Sequence, residues 1–345
     1  MIIDNKKHFL IIDSNSVLHR AFHALPLLST KNGEIVNAVY GFCLVFLKAL
    51  KEINPSFVAA VFDLPGPTFR HEASKEYKAK RPPTPKELCE QFEKAKEILK
   101  AFNVPIFEKQ GWEADDLIGT LSKKVLKNQN SLEIETFILT SDSDIFQLVD
   151  AQTKVYASNK GLKDTILYDY DKVKEKYQGL LPSQLIDYNA LKGDPSDNIA
   201  GVPGIGEKTA LKLIKEFGTL ENLYESIEKP EFAANEKIHL PRTPESSIVH
   251  SGDEGLQAII PLQENPCFNT GVRGLAPHFL AKLKQYKEQA FLARFLVQIQ
   301  RDVALEFNLE NCELPKIDKE KVSQVFEKFE FHALIKRINN DEFLC

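Results

Sequence analysis

The sequence predicts an α/β fold, with a parallel sheet in its first half and a helical region behind it. Three observations carry that reading. First, three short apolar runs rich in β-branched and aromatic residues each end in acids. They are HFLIID (8–13) at Asp13, FVAAVFD (57–63) at Asp63, and ETFILTSDSD (135–144) at Asp142 and Asp144. Runs without polar alternation read as strands buried on both faces, as in a parallel sheet. Second, helical patterns separate them: AVYGFCLVFLKALKEI (38–53), PKELCEQFEKAKEILKAF (85–102) and EADDLIGTLSKKVLKN (113–128). This alternation implies right-handed crossovers between parallel strands. Third, 345 residues exceed the usual size of one domain. The expected division is a catalytic unit over 1–180 and a helical unit over 181–345.

Along the chain, LHRAFHA (18–24) reads as a helix with His19 and His23 as packing or surface residues. FRHEASKEYKAKRPPTP (69–85) sets Arg70, Lys75, Lys78, Lys80 and Arg81 against only two acids, with Tyr77 among them. A basic segment with an aromatic suits backbone tracking and base stacking on a single strand. GWEADD (111–116) opens the third helix with Glu113, Asp115 and Asp116. Acids in a first turn complement the helix dipole, and Glu113 and Asp116, three apart, are expected on one face. A hairpin-like pair (153–169), a helix (181–193) and the polar turn DPSDN (194–198), with Asp194 and Asp197, follow. GVPGIGEKTA (201–210) then feeds a helix through three glycines, a turn that presents backbone N–H groups to an anion. It lacks the spacing of a P-loop, and no strand is expected before it. From 229 to 276 periodicity fails, which reads as a surface insertion. Helical pattern resumes over 279–302 and 319–338.

Composition narrows the class. No run nears the roughly 18–20 apolar residues that span a bilayer, and the N-terminus lacks a signal-peptide layout. The five cysteines are scattered without a CxxC pair, against a zinc ribbon or a disulfide framework. A reducing cytoplasm is the expected setting. Net charge is −5, but with the nine acids Asp13, Asp63, Glu113, Asp115, Asp116, Asp142, Asp144, Asp194 and Asp197 set aside, 44 bases face 40 acids. An acidic pit on a mildly basic surface suits a nuclease neutralised by cations.

Ligands in open α/β sheets bind beyond the carboxyl ends of the strands, so the acids of all three runs point to one crevice. So many carboxylates need counter-ions, and all-oxygen donors select Mg2+ or Mn2+ over zinc. Two such ions suit phosphodiester hydrolysis, with Lys78 and Arg81 stabilising phosphate charge. No Ser-His-Asp or Cys-His arrangement competes.

Taken in order, VYGF, FRHEASKEYKAKRPPTP, GWEADD, TSDSD and LKGDPSDNIAGVPGIGEKTA resemble the 5′→3′ exonuclease domain of bacterial DNA polymerase I, of the flap endonuclease superfamily. The resemblance covers about 8–228 and resumes near 280–338. It implies a PIN-like, resolvase-like core with a helical arch, and a helix-three-turn-helix at about 185–228. It implies that Asp13, Asp63, Glu113, Asp115 and Asp116 serve one metal, and Asp142, Asp144, Asp194 and Asp197 a second. Arg20, Tyr77, Lys78 and Arg81 match positions on the threaded 5′ strand and the scissile phosphate; Arg70 and Lys80 are read with them as DNA contacts. Gly204, Gly206, Lys208 and Thr209 match the turn that holds duplex backbone, often with K+. The expected partner is DNA at 5′ flaps, nicks and 5′ ends, or RNA–DNA primer junctions, with the chain a monomer. It is read either as a stand-alone nuclease or as the front module of a polymerase acting in cis or in trans. A non-catalytic DNA-binding module and a PIN-type ribonuclease stand as the alternatives.

Overall fold

The computed structural model describes residues 6–127, 134–158, 161–162, 164–229 and 277–340. All but the first residue of the expected 229–276 insertion lies outside them.

Strands β1 (Lys7–Asp13), β2 (Phe57–Val61), β3 (Ile106–Phe107), β4 (Ile134–Thr140), β5 (Thr153–Ser158) and β6 (Thr165–Tyr168) form one sheet in the order β3-β2-β1-β4-β5-β6. Every pair is parallel except β5 with β6. The sheet shows why the three runs lack alternation. In β1, Phe9 and Ile11 enter one core while Leu10 and Ile12 enter the other, and all four are fully buried. Burying one such side chain contributes about 1.5–3 kcal/mol, so both faces are under the same apolar pressure.

Helix α5 (Ala114–Lys127) covers the first face; α1 (Ser14–Ala24), α2 (Asn37–Ile53) and α4 (Lys86–Ala101) cover the second. The core under α5 continues without a break into the helical region. That region holds α6 (Tyr170–Lys176), α7 (Leu185–Lys192), α8 (Glu207–Phe217), α9 (Leu220–Glu228), α10 (Pro277–Gln285) and α11 (Lys287–Val297). Among the described residues no helix is long and apolar enough to cross a membrane.

Several expectations are corrected. The 279–302 pattern is two helices that meet at Tyr286, followed by extended chain from Gln298. The 319–338 pattern is also two, α12 (Lys319–Lys328) and α13 (His332–Asn339), broken where Glu330 takes a left-handed φ of 60°. These last helices do not join the helical unit: Phe326, Phe329, Phe331 and Leu334 pack in the core of α1, α2 and α4. The stretch 181–345 is therefore not one packing unit. A two-residue strand, β8 (Ile199–Ala200), does precede the glycine turn and pairs with β7 (Gly193–Asp194).

Between β2 and α4 the chain runs through the short α3 (Phe69–Ala73), then turns, then the proline-rich 82–85. This is the basic segment, and it roofs the carboxyl ends of the strands.

Candidate active site

Each acid is placed by the end of an element. Asp13 ends β1 and caps α1: its Oδ1 accepts from the Ser16 N–H (3.0 Å) and its Oδ2 from the Thr140 hydroxyl at 2.6 Å. Asp63, two residues past β2, accepts from the Ala114 N–H at 2.7 Å, the first residue of α5. One strand end is thereby tied to the helix that carries Asp115. Asp142 and Asp144 leave β4 in a tight turn in which the Asp144 N–H donates to Asp142 Oδ1 at 2.8 Å. Asp194 caps its own loop, accepting from the Ser196 N–H and hydroxyl at 2.9 and 2.7 Å.

The acids line two adjoining spaces. Asp13, Asp63, Glu113 and Asp115 lie on the wall of a cavity of about 740 Å³. Asp144 and Asp194 lie in a recess of about 120 Å³. Asp142, Asp197 and Arg81 border both. The two groups of acids expected from the sequence are therefore neighbours across Asp142 and Asp197.

The basic roof is stapled down onto this crevice. Lys78 Nζ lies 3.0 Å from Glu113 Oε1 and 3.5 Å from Asp197 Oδ2, bridging the two groups. Arg81 Nη2 donates to Asp197 Oδ1 at 2.8 Å. The Lys78 N–H donates to the Asp197 carbonyl (2.8 Å), and Asn198 Nδ2 to the Glu76 carbonyl at 2.6 Å.

Four sequence expectations are corrected. Asp116, expected as a metal ligand, is fully buried and lines neither space; Arg70 donates to both its oxygens, each at 2.8 Å. Arg70, expected on DNA, is 2% exposed beneath the roof. Tyr77, expected to stack on a base, is also buried: its hydroxyl donates to Glu113 Oε2 at 3.0 Å and lies 3.3 Å from Asp197 Oδ2. Glu113 and Asp116 do not share a face because Glu113 precedes the helix; its N–H donates to Asp116 Oδ2 at 3.3 Å, half of a capping box. Lys80 is exposed and borders neither space, whereas Arg20 lines the larger one. Trp112 packs on Phe69, ring centroids 5.1 Å apart.

Electrostatics separate the acids that have cationic partners from those that crowd one another. Burial pushes Glu113 up, but Lys78 and Arg70 outweigh it and hold it below its ordinary value. Burial alone would lower Lys78, yet Glu113 and Asp197 hold its ammonium above the ordinary value. Asp13, Asp63, Asp115, Asp142 and Asp144 go the opposite way. Burial, then Asp142 and Asp63, raise Asp13 to about 7, against hydrogen bonds from Thr140 and Ser16. Burial, then Asp142, Asp194 and Asp197, raise Asp144 to about 8. Burial raises Asp115, with Asp142, Asp13 and Glu113 adding to it, and Asp142 is raised chiefly by burial as well.

No three His, Cys, Asp or Glu side chains among the described residues converge on one point as a ready-made shell. Lys78 and Arg81 instead hold oxygens of Glu113 and Asp197. The donor chemistry still fits a hard divalent cation: buried carboxylate oxygens, with Asp13, Asp115, Asp142 and Asp144 raised by burial and by one another.

Comparison with known proteins decides the family. The profile of the 5′-3′ exonuclease N-terminal resolvase-like domain matches residues 8–178, and that of its C-terminal SAM fold matches 180–243. The chain belongs to the 5′-3′ exonuclease family. The chain is 37% identical to DNA polymerase I of Bacillus caldotenax over 97% of its own length, and it spans 33% of that relative. Its fold is that of T5 5′-exonuclease, solved with divalent zinc ions, at a TM-score of 0.59 and 18% identity over 95% of this chain and 98% of that one. A complex of the bacteriophage T5 D15 flap endonuclease with DNA and metal ions gives 0.58 at 18% identity, over 94% and 100%.

Sequence reading missed several groups that complete the exonuclease crevice. Asn189 and Lys192, three apart on α7, line the small recess, and Lys192 draws Asp144 down against its burial. Their helical spacing ahead of Asp194 was the available signal. Tyr177 lines the same recess and carries no such signal. His19 and His23, read as packing or surface residues, line the large cavity beside Arg20.

The Asp194–Asp197 loop hangs on one glycine. Gly193 has φ +79°, and a Cβ there would meet the Gly201 nitrogen at 2.5 Å and the Ile199 oxygen at 2.7 Å. Gly193→Ala is expected to destabilise the fold by about 2–3 kcal/mol in denaturant unfolding, because backbone cannot yield as a flexible side chain does.

Proposed function

We propose that this chain is a divalent-metal-dependent 5′ nuclease that hydrolyses DNA at 5′ flaps, nicks and 5′ ends, in replication and repair. One observation carries this reading: the raised carboxylates of Asp13, Asp115, Asp142 and Asp144 crowd the ends of parallel strands beneath a roof of Lys78 and Arg81. Asp13, Asp63, Glu113 and Asp115 would hold one ion; Asp142, Asp144, Asp194 and Asp197 would hold the other. Ions held there would supply Lewis-acid charge to a water and to the departing oxygen. Carboxylate donors favour Mg2+ or Mn2+; the zinc belongs to the T5 protein's own structure.

The side chains do the rest. Lys78 and Arg81 already sit against anionic oxygens, so a scissile phosphate entering the crevice exchanges one anionic partner for another. Arg20 lines the same cavity and adds a cationic contact for a single strand. The glycine turn grips the duplex: Gly204 has φ +86°, and Gly206 begins α8 without a side-chain cap, leaving first-turn N–H groups for a phosphate. Lys208→Ala is expected to weaken binding of all duplexes alike and to lower the salt slope of log K by about one, measured by fluorescence anisotropy.

The test is cleavage of matched DNA and RNA flap, nick and gap substrates in Mg2+, Mn2+ and EDTA. Ion-dependent release of short 5′ products from DNA is expected. No cleavage in either ion overturns the proposal, and cleavage confined to RNA replaces it with a ribonuclease.

A further inference from the structure

We infer that Arg70 and Asp116 form a positioning clamp that fixes the crevice acids against the helix carrying the duplex-gripping turn, an inference resting on the nuclease reading above. Asp116 is saturated. Its Oδ1 accepts from Arg70 Nη2 (2.8 Å) and the Gln300 N–H (2.9 Å); its Oδ2 accepts from Arg70 Nη1 (2.8 Å) and the Glu113 N–H (3.3 Å). Four donors fill the lone pairs of two oxygens, so none remains for a cation. Asp116 is thus the one acid of GWEADD that faces away from the crevice, although it adjoins Asp115 in sequence and bonds Glu113 directly.

Arg70 carries the other half of the clamp. Beyond Asp116, its Nε donates to the Leu296 carbonyl (2.8 Å) and its Nη2 to the Gln298 carbonyl (2.9 Å), both at the end of α11. At its other end α11 reaches the turn region, where Gln289 Nε2 donates to the Gly201 carbonyl at 2.5 Å. A single buried guanidinium thereby joins the first turn of α5 to the helix that seats the glycine turn. Few alternatives satisfy this geometry, because a planar fork with fixed donors must meet the Asp116 carboxylate, Glu113 Oε2 at 3.5 Å and two carbonyls at once. Glu113 and Asp115 are consequently held at a set distance from the gripped duplex. Misplacement of reacting groups by about 1 Å can cost about a hundredfold in rate.

The experiment compares Arg70→Lys, Asp116→Asn and the apolar pair Arg70→Met with Asp116→Leu, against Asp115→Asn as a true ligand change. Four quantities are read on the full chain: kcat and KM on a DNA flap in Mg2+, Mn2+ affinity without DNA, and Tm. Arg70→Lys and Asp116→Asn are each expected to lower kcat by about ten- to a hundredfold with KM and Mn2+ affinity within about threefold. Asp115→Asn is expected to lower Mn2+ affinity itself. The apolar pair removes the charges but strands the Gln300 and Glu113 N–H groups and the Leu296 and Gln298 carbonyls, so it is expected to recover neither Tm nor kcat.

A fall in Mn2+ affinity on Asp116→Asn matching that of Asp115→Asn would overturn the clamp by making Asp116 a ligand. Recovery of kcat together with Tm in the apolar pair would overturn it by reducing the contact to packing. If Asp116→Asn fails to fold, Arg70→Lys, which keeps the charge and loses the fork, decides the same question. A wild-type chain that binds Mn2+ but cuts no flap overturns the nuclease reading, and the clamp's role in cleavage falls with it. A defect confined to the variants leaves the nuclease reading standing.

Discussion

Asp115→Asn is expected to slow cleavage of a 5′-flap DNA at least about a thousandfold while leaving flap affinity within about threefold, measured by single-turnover cleavage in Mg2+ and by anisotropy. A thousandfold is about 4 kcal/mol of barrier at 1.36 kcal/mol per decade, the scale for losing one cation's charge from a phosphoryl transition state. Asp115 is the residue of choice because it faces the large cavity and is raised by burial, then by Asp142, Asp13 and Glu113 together. Asparagine keeps its shape and removes the charge. DNA affinity is expected to be spared because the proposed duplex contacts, the glycine turn and Lys208, lie on other elements. Equal loss of affinity and rate would show that Asp115 organises the fold rather than the chemistry.

Much of this architecture is legible in the sequence for one reason. A parallel strand buried on both faces must be apolar throughout, so its end is marked by the first acid. Asp13, Asp142 and Asp144 follow directly, and the rule that such ends meet in a crevice gathers them. Asp63 belongs with them, although β2 itself stops at Val61. What the sequence conceals is the direction of a side chain. Asp115 and Asp116 are neighbours of identical chemistry, yet one faces the cavity and the other lies under it, held by Arg70. The choice depends on where α5 begins, and that is set by the Ala114 N–H meeting Asp63, a contact 51 residues away in sequence. Tyr77 and Arg70 mislead for a related reason. A basic, aromatic segment reads as a surface for nucleic acid, but once the crevice below is anionic its own side chains turn inward to neutralise it. The broken C-terminal helices elude periodicity because apolar spacing survives the breaks at Tyr286 and Glu330.

Metal binding is expected to reverse the pH dependence of stability. Asp13 titrates at about 7 and Asp144 at about 8 in the folded chain, against an ordinary 3.8. Between about pH 4 and 8 the folded state therefore holds protons that the unfolded state has released. Stability then falls as pH rises, because the slope follows the protons bound in the unfolded state minus those in the folded state. Each proton held only by the folded state costs about 1.36 kcal/mol of stability for each step of one in pH. A divalent ion binds the ionised carboxylates, so it competes with those protons and gains affinity as pH rises. In calorimetry the metal-free chain should melt higher near about pH 5.5 than near about pH 8, and millimolar Mn2+ should raise Tm far more at the higher pH. Asp144→Asn separates the causes. It mimics the protonated acid permanently, so the metal-free variant should be more stable than wild type at about pH 8 and should respond less to Mn2+. A Mn2+ effect of equal size at both pH values, or an Asp144→Asn chain that is destabilised when metal-free, would show that these acids are not crowded for want of a cation.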